Sequence, residues 1–287
     1  VRKYKTAAGI MITASHNPKE YNGYKIYGED GAQMSPEATA VIVENIHKVS
    51  DYFTVKSADE NALEHSRNLS YIPASFERGY YKTVIKLGLS KKAVKEEGKK
   101  IKIVYTPING SGYVPVTKVL GKMGIDVTVV EEQTAYDGNF PTVEVPNPEN
   151  KAALKMAIDR AEKIGADVVF GTDPDCDRLG VAVRNGEGEF VGLTGNQVGA
   201  LLLEYVLMRL KAENKLPENA VAIKSFVSTN LAKAICDSYG VQLMETPVGF
   251  KFIGEKIKEF EQNKDKTFVF GYEESCGYLR GTHARDK

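Results

Sequence analysis

The chain has 287 residues, in which 38 Lys and Arg balance 38 Asp and Glu, for a formal net charge of zero. A balanced surface offers no global field to nucleic acid or an anionic membrane, and the best apolar run, Val198 to Leu210, is broken by Glu204 and Arg209, so it reads as an amphipathic helix rather than a membrane span. Cys176, Cys236 and Cys276 are widely spaced with no CxxC pair, which suits a reducing cytoplasm better than a disulfide framework.

A chain of this length holds two or three domains of ordinary size, each able to bury a core. The first residues, Val-Arg-Lys-Tyr-Lys, lack the apolar core of a secretion signal. Ile10 to Ile12 reads as a short buried strand. It stops at Ser15-His16-Asn17-Pro18, where Pro18 cannot donate to a ladder and biases Asn17 away from helix. A serine is thereby presented on a constrained loop at a strand end. Asn22-Gly23 returns the chain into a second strand, Tyr24 to Tyr27, which brings Lys25 near that loop. A lone serine in such a place is an ordinary turn residue. Ser35-Pro36-Glu37 then starts a helix, with Val41, Ile42, Ile46 and Val49 as its apolar face. Lys56 to Ser70 is polar and reads as a linker, Phe76 to Leu87 as a helix, and Lys91 to Lys100 as a charged, solvated connection.

From Ile101 strands and helices alternate. Strand Ile101 to Tyr105, helix Tyr113 to Lys122, strand Asp126 to Val130, a helix opened by Pro146-Asn147-Pro148-Glu149 and stopped at Gly165, and strand Asp167 to Phe170 form one set. Helix Thr194 to Leu210, strand Val221 to Lys224, helix Thr229 to Tyr239, strand Val241 to Glu245, helix Gly249 to Phe260 and strand Thr267 to Gly271 form another. This order predicts an α/β fold of consecutive similar domains, with mixed, mostly parallel sheets covered by helices. The Gly-rich turn Asn109-Gly110-Ser111-Gly112 has neither the Gly-x-Gly-x-x-Gly spacing nor a following Gly-Lys-Ser/Thr, and reads as a structural turn.

Asp173-Pro174-Asp175-Cys176-Asp177-Arg178 follows the strand ending at Phe170, where parallel sheets place their ligand loops. Asp at alternate positions of an extended segment point to one side, and such a cluster repels itself unless a cation sits in it. Hard oxygen ligands select Mg²⁺, Ca²⁺ or Mn²⁺ over zinc. A calcium loop of the EF-hand kind is excluded, since it needs Gly where Arg178 stands and Glu where Arg184 stands. Spacing alone also allows a solvated acidic loop.

The string Thr13-Ala14-Ser15-His16-Asn17-Pro18, with Asn22-Gly23-Tyr24-Lys25 after it, closely resembles the phosphoserine loop of the α-D-phosphohexomutases, the phosphoglucomutase and phosphomannomutase family. The resemblance implies that Ser15 carries a phosphoryl group and passes it to a sugar phosphate, with His16 and Lys25 close to the phosphoryl in flight. The Asp loop resembles that family's Asp-x-Asp-x-Asp-Arg metal loop. This implies Mg²⁺ bridging Asp173, Asp175, Asp177 and the Ser15 phosphate, with Arg178 and Lys25 as compensating cations. Gly271-Tyr272-Glu273-Glu274-Ser275 resembles the sugar-binding Glu-x-Ser loop, so that Glu273 and Ser275 would hydrogen-bond hexose hydroxyls. Its Glu-Glu-Ser form is closest to glucose-preferring members, while Tyr272 and Cys276-Gly277 resemble the phosphopentomutase-like branch, which leaves a pentose phosphate open. Thr246-Pro247-Val248-Gly249-Phe250-Lys251 resembles the sugar-orientation loop, with Lys251 either a substrate contact or an exposed lysine at a helix start.

The family places three similar α/β domains around a cleft and adds a fourth. By that pattern residues 1–70 are the end of a first domain, 71–188 a second and 189–287 a third. With no Met at its start and no element closing its end, the chain reads as a fragment, inactive or weakly active by itself. The implied function is an intramolecular phosphotransferase interconverting hexose 1- and 6-phosphates, with Mg²⁺ as cofactor and a hexose bisphosphate as intermediate and activator. The implied partner is a sugar phosphate, with no nucleic acid and no membrane, in the cytoplasm. A metal-dependent phosphatase using Ser15, or a non-catalytic sugar-phosphate-binding fragment, are the rival readings. The choice of Lys25 or His16 as general acid/base, and the oligomeric state, are left open.

Overall fold

The computed structural model describes the chain from Val1 to Lys287, the side chain of Glu60 excepted. Strands β1 (Ala8–Ile12) and β2 (Tyr24–Gly28) form an antiparallel ribbon in which Met11 faces Lys25 across the ladder. The expected burial of Ile10 to Ile12 is not found: Ile10 is 69% and Ile12 73% exposed. Side chains alternate along a strand, so the face carrying Ala8, Ile10 and Ile12 can be buried only if something lies on it, and among the described residues nothing does. Helix α1 (Pro36–His47) is capped by Ser35, whose side chain accepts from Ala38 N, as read from sequence. Its apolar face does not reach a core, and the helix has no buried residue.

The polar stretch expected to be a linker contains a short helix α2 (Glu60–Glu64) capped by Asp59. Helix α3 (Ala74–Lys86) follows as expected, but Lys91–Glu97 is a helix, α4, rather than a connection. Ser90 caps it by accepting from Ala93 N, and Lys and Glu are good helix formers, which the emphasis on charge obscured.

The next unit comprises β3 (Ile103–Thr106), α5 (Tyr113–Met123), β4 (Val127–Val129), α6 (Lys151–Ile164), β5 (Val168–Thr172), β6 (Leu179–Arg184) and β7 (Phe190–Leu193). Its sheet runs β4-β3-β5-β6-β7, parallel over the first three strands and antiparallel over the rest. Strands β6 and β7 escaped the sequence reading, which sought alternation of strand with helix. Because β7 pairs with β6, the sheet extends past residue 188, where the next domain had been expected to begin. Helix α6 starts at Lys151, later than the Pro146-Pro148 signal suggested; those prolines lie in the preceding turn, and Gly165 at φ 63 stops the helix as expected.

The last unit comprises α7 (Gly195–Ala212), β8 (Ala220–Ser225), α8 (Leu231–Tyr239), β9 (Gln242–Thr246), α9 (Phe250–Asn263), β10 (Thr267–Glu273) and β11 (Gly277–Leu279). Its sheet runs β11-β10-β8-β9, with β11 the antiparallel edge. One face packs against α9 through Ile253, Ile257 and Phe260. The other packs against α7 and α8 through Leu203, Val206, Leu207 and Cys236. Helix α7 also sends Val198 and Leu202 to the core of the preceding sheet, with Ile103, Val168 and Val181. It is thus shared between two cores, and more of its surface is apolar and buried than a one-faced amphipathic helix needs. Each of these two sheets is a parallel core with an antiparallel edge, and a turn leads from β5 to β6 and from β10 to β11.

Candidate functional site

Ser15 follows β1 in a left-handed conformation, φ 55, in which its N–H donates to Thr13 Oγ1 at 2.8 Å. Non-glycine residues enter this region at a cost of order 1 kcal/mol, and Thr13 and the turn around Asn17 hold Ser15 there. Ser15 Oγ lies 3.2 Å from Asp173 Oδ2 and 3.1 Å from His16 Nδ1. The serine loop and the Asp loop, 158 residues apart in sequence, therefore meet.

Asp173, Asp175 and Asp177 gather ligand atoms within 4.8 Å of one another. They do so through a turn, closed by Cys176 N donating to Asp173 O at 2.9 Å, and not along an extended segment as the alternate spacing suggested. Asp173 Oδ1 accepts from Asp177 N at 3.0 Å and Arg178 N at 2.9 Å. Lys25 Nζ donates to Asp175 Oδ2 at 3.0 Å and Asp177 Oδ2 at 2.8 Å. The remaining oxygens, Asp175 Oδ1 and Asp177 Oδ1, are buried without a hydrogen-bond partner. A buried carboxylate oxygen with no donor is costly, and a hard divalent cation is the species that this all-oxygen set fits.

The charges are tightly linked. Burial, then Asp177 and Asp175, push the Asp173 carboxyl up to about 8. For Asp175 burial works upward, but Asp173 and the Lys25 ammonium hold it below the usual carboxylate value. Burial opposes the charge on Lys25, and Asp177 and Asp175 overcome that, holding the ammonium above its ordinary value. His16 is lowered by burial first, then by Arg178 and Lys287.

Arg178 does not face the Asp cluster with its guanidinium; Nη1 pairs with Glu149 Oε1 at 2.5 Å, in the turn before α6. Glu149 was not a sequence candidate, and neither were Thr13, whose Oγ1 donates to Asp175 Oδ2 at 3.3 Å, nor Lys287, whose Nζ lies 3.8 Å from Asp177 Oδ1. Thr13 sits inside the serine string and was legible there; nothing local marks the other two.

The third loop ends β10. Glu273 is 3% exposed and its Oε1 accepts from Gly249 N at 2.6 Å, so two predicted substrate residues are joined. Gly249 has φ 123, open to glycine and strained for any other residue, and the loop depends on it. Burial raises the Glu273 carboxyl above its ordinary value against that hydrogen bond. Ser275 lies half-buried in the turn that follows. Lys251 stands apart from this cluster: its ammonium lies over the Phe252 ring at 5.1 Å, and it lines a cavity of about 560 Å³ with Ser35, Pro36 and Lys258. The Gly-rich turn is structural, as expected: Ser111 N and Oγ donate to Pro174 O at 2.8 and 3.0 Å, bracing the Asp loop. No helix among the described residues is long and apolar enough to cross a membrane.

Three family profiles match the chain in order: phosphoglucomutase/phosphomannomutase alpha/beta/alpha domain I over residues 1–53, domain II over 78–187 and domain III over 194–287. A phosphoglucomutase of Staphylococcus epidermidis is 37% identical over 293 residues, covering 100% of this chain and 50% of its own length. The chain thus spans about half the length of the curated relatives it matches. A solved phosphoglucomutase/phosphomannomutase family protein of Burkholderia thailandensis superposes with a TM-score of 0.68 at 20% identity, over 96% of this chain and 51% of that one. The N-acetylphosphoglucosamine mutase of Aspergillus fumigatus, solved with GlcNAc-6P and magnesium, superposes with a TM-score of 0.61 at 14% identity, over 96% of this chain and 61% of that one; both likenesses are of fold. With the three domain profiles in sequence and the serine, Asp and Glu loops at their strand ends, the chain belongs to the phosphoglucomutase/phosphomannomutase family.

Proposed function

We propose that the protein is a phosphohexomutase, in which phospho-Ser15 passes its phosphoryl group to a hexose 1-phosphate. The resulting hexose bisphosphate turns over and returns its other phosphoryl group to Ser15, releasing the 6-phosphate. One observation carries the reading: Ser15 Oγ lies 3.2 Å from Asp173 Oδ2, in a cluster that also holds Asp175, Asp177 and Lys25. A serine placed against three carboxylates makes sense where a cation and an anionic group are both to be received. Mg²⁺ would be held by Asp173, Asp175, Asp177 and Ser15, and when bound it neutralises charge on the phosphoryl oxygens.

The chain's own groups do the rest. Ser15 Oγ donates to Asp173 Oδ2 at 3.2 Å and lies 3.1 Å from His16 Nδ1, so His16, whose lowered pKa favours the neutral ring, is a second group in reach of the hydroxyl proton. Lys25, held protonated by two carboxylates, supplies positive charge to the phosphoryl. Arg178 fixes the Asp loop through its backbone N–H, and its guanidinium adds positive charge beside His16. Glu273 and Ser275 would take the sugar hydroxyls, and Gly249 orients Glu273; Lys251 stands apart from them and is given no contact in this reading. The Glu-Glu-Ser loop favours glucose. The string Tyr272 to Gly277 supports a pentose phosphate as the second reading.

The test is the mass of the Ser15 peptide after incubation of the full chain with Mg²⁺ and glucose 1,6-bisphosphate. Phosphorylation at Ser15 that is lost on chelation, with glucose 6-phosphate formed from glucose 1-phosphate, is expected. Unimpaired turnover by Ser15→Ala would overturn the proposal, and inorganic phosphate as the sole product would replace it with a phosphatase.

A further inference from the structure

Glu274, the middle residue of the sugar loop, belongs to none of the contacts above, yet it is the most heavily tied carboxylate of that loop. Its Oε2 lies 2.6 Å from Ser225 Oγ and 3.0 Å from Ser228 Oγ, and its own N–H donates to Ser228 Oγ at 3.1 Å. The two serine oxygens are 2.6 Å apart. Both serines sit where β8 ends, and the same segment is pinned from beneath by Lys224. The Lys224 side chain is fully buried (0% exposed), donating to Ser228 O at 2.9 Å and Ser225 O at 3.4 Å, and pairing with Glu245 Oε1 at 2.8 Å. The network joins a buried ammonium, two hydroxyls and two carboxylates, and its connected members stiffen one another.

Its place in the fold gives it meaning. Glu273 ties the sugar loop to the segment after β9, through Gly249 N, while Glu274 ties it to the segment after β8. The other sheet has the same device in the same place: Pro174, the residue after Asp173 as Glu274 is the residue after Glu273, binds the segment after β3 through its carbonyl to Ser111. There the brace is backbone and cannot be tuned; here it is a carboxylate.

We propose that Glu274 is a positioning residue: by clamping the sugar loop to Ser225 and Ser228 it fixes Glu273 and Ser275 in the spacing at which they take sugar hydroxyls. The inference deepens the mutase reading and rests on it for its substrate. A middle residue without an acceptor oxygen leaves both hydroxyls without their carboxylate partner and the loop held on one side only.

The experiment compares the full chain with Glu274→Ala, Glu274→Gln, the pair Ser225→Ala/Ser228→Ala, and the triple variant, measuring kcat and KM for glucose 1-phosphate and the affinity for Mg²⁺. Glu274→Ala is expected to raise KM about tenfold, the size of a lost charge-assisted hydrogen bond, with kcat within about twofold and Mg²⁺ affinity unchanged. Glu274→Gln, which keeps an acceptor oxygen, recovers most of the loss. The triple variant is no worse than Glu274→Ala, because neighbours in one network are not additive. Equal KM in Glu274→Ala, additive losses, or a parallel fall in kcat and Mg²⁺ affinity would each overturn the clamp. A wild-type chain that takes up no phosphoryl group at Ser15 from glucose 1,6-bisphosphate defeats the mutase reading, whereas one that takes it up but converts no sugar phosphate leaves amide exchange to decide the clamp alone. Protection of the 274–276 turn must fall alike in Glu274→Ala and in the double serine variant; unchanged protection refutes it.

Discussion

The Asp loop, Gly171 to Asp177, and the sugar loop, Gly271 to Gly277, each leave a central strand, turn through a cysteine at φ 60 and enter an antiparallel strand. In each, the first acid is sunk at the strand end, Asp173 at 0% and Glu273 at 3% exposure, and accepts backbone N–H bonds. They diverge at the next alternate positions. Asp175 and Asp177 add charge that demands a cation, whereas Ser275 and Gly277 add a neutral hydroxyl and a place taken by the Lys287 side chain. A Cβ at Gly277 would lie 2.3 Å from Lys287 Cδ. The loops also touch, Leu179 N donating to Cys276 O at 3.0 Å. One backbone design therefore carries both the loop proposed for a metal and the loop proposed for a sugar, and the two differ at two side chains. The fold supplies position, and the substitutions on it supply function.

If this division is right, damage to one loop should leave the other's ligand untouched. The largest effect is expected from Asp175→Asn, which removes a charge from the Asp loop. Turnover should fall about 100- to 1,000-fold, as for loss of one electrostatic stabiliser, and Mg²⁺ should bind more weakly in calorimetry while sugar phosphate KM is nearly unchanged. Glu273→Gln should do the reverse, raising KM about 10- to 100-fold with Mg²⁺ affinity intact, since a charged hydrogen bond is worth about 1.5–3 kcal/mol. A shared collapse of both ligands in either variant breaks the comparison.

Two glycines sharpen it without touching a ligand group. A Cβ at Gly110 would lie 2.4 Å from Pro174 Cα, and one at Gly195 would lie 1.9 Å from Glu274 O, so each alanine must push a different loop. Each substitution should cost about 1–3 kcal/mol in denaturant unfolding. Gly110→Ala should weaken Mg²⁺ binding and Gly195→Ala sugar binding.

The last expected effect is one of pH. The Asp173 carboxyl, pushed up to about 8 by burial and then by its neighbours, holds a proton below that pH, and a cation must displace it. Mg²⁺ affinity should thus rise with pH by about tenfold per unit below 8 and level off above it, one proton being released per ion bound. Titration at two buffer ionisation enthalpies measures that proton; an affinity flat from pH 6 to 9 would show that no proton is displaced and that the Asp173 carboxyl is already ionised.

The sequence by itself determined what depends on near neighbours. Ser15 at a strand end, the Asp spacing, the caps at Ser35 and Gly165, and the alternation that makes the sheets α/β are local signals, and each is found where it was read. Apart from the locally capped helices α2 and α4, the misread elements were those whose state depends on distant partners. The Ile10–Ile12 strand is exposed because burial needs a covering layer, which no strand pattern encodes. Strands β6, β7 and β11 are held by pairing with strands already in place. Tertiary structure alone decided that Arg178 turns to Glu149, that Lys25 spans two Asp carboxylates, that Lys287 faces Asp177, and that Glu274 is tied to two serines 46 and 49 residues away. A long charged side chain reaches several ångströms, and which opposite charge it meets is set by where the fold places the two residues, not by its neighbours along the chain.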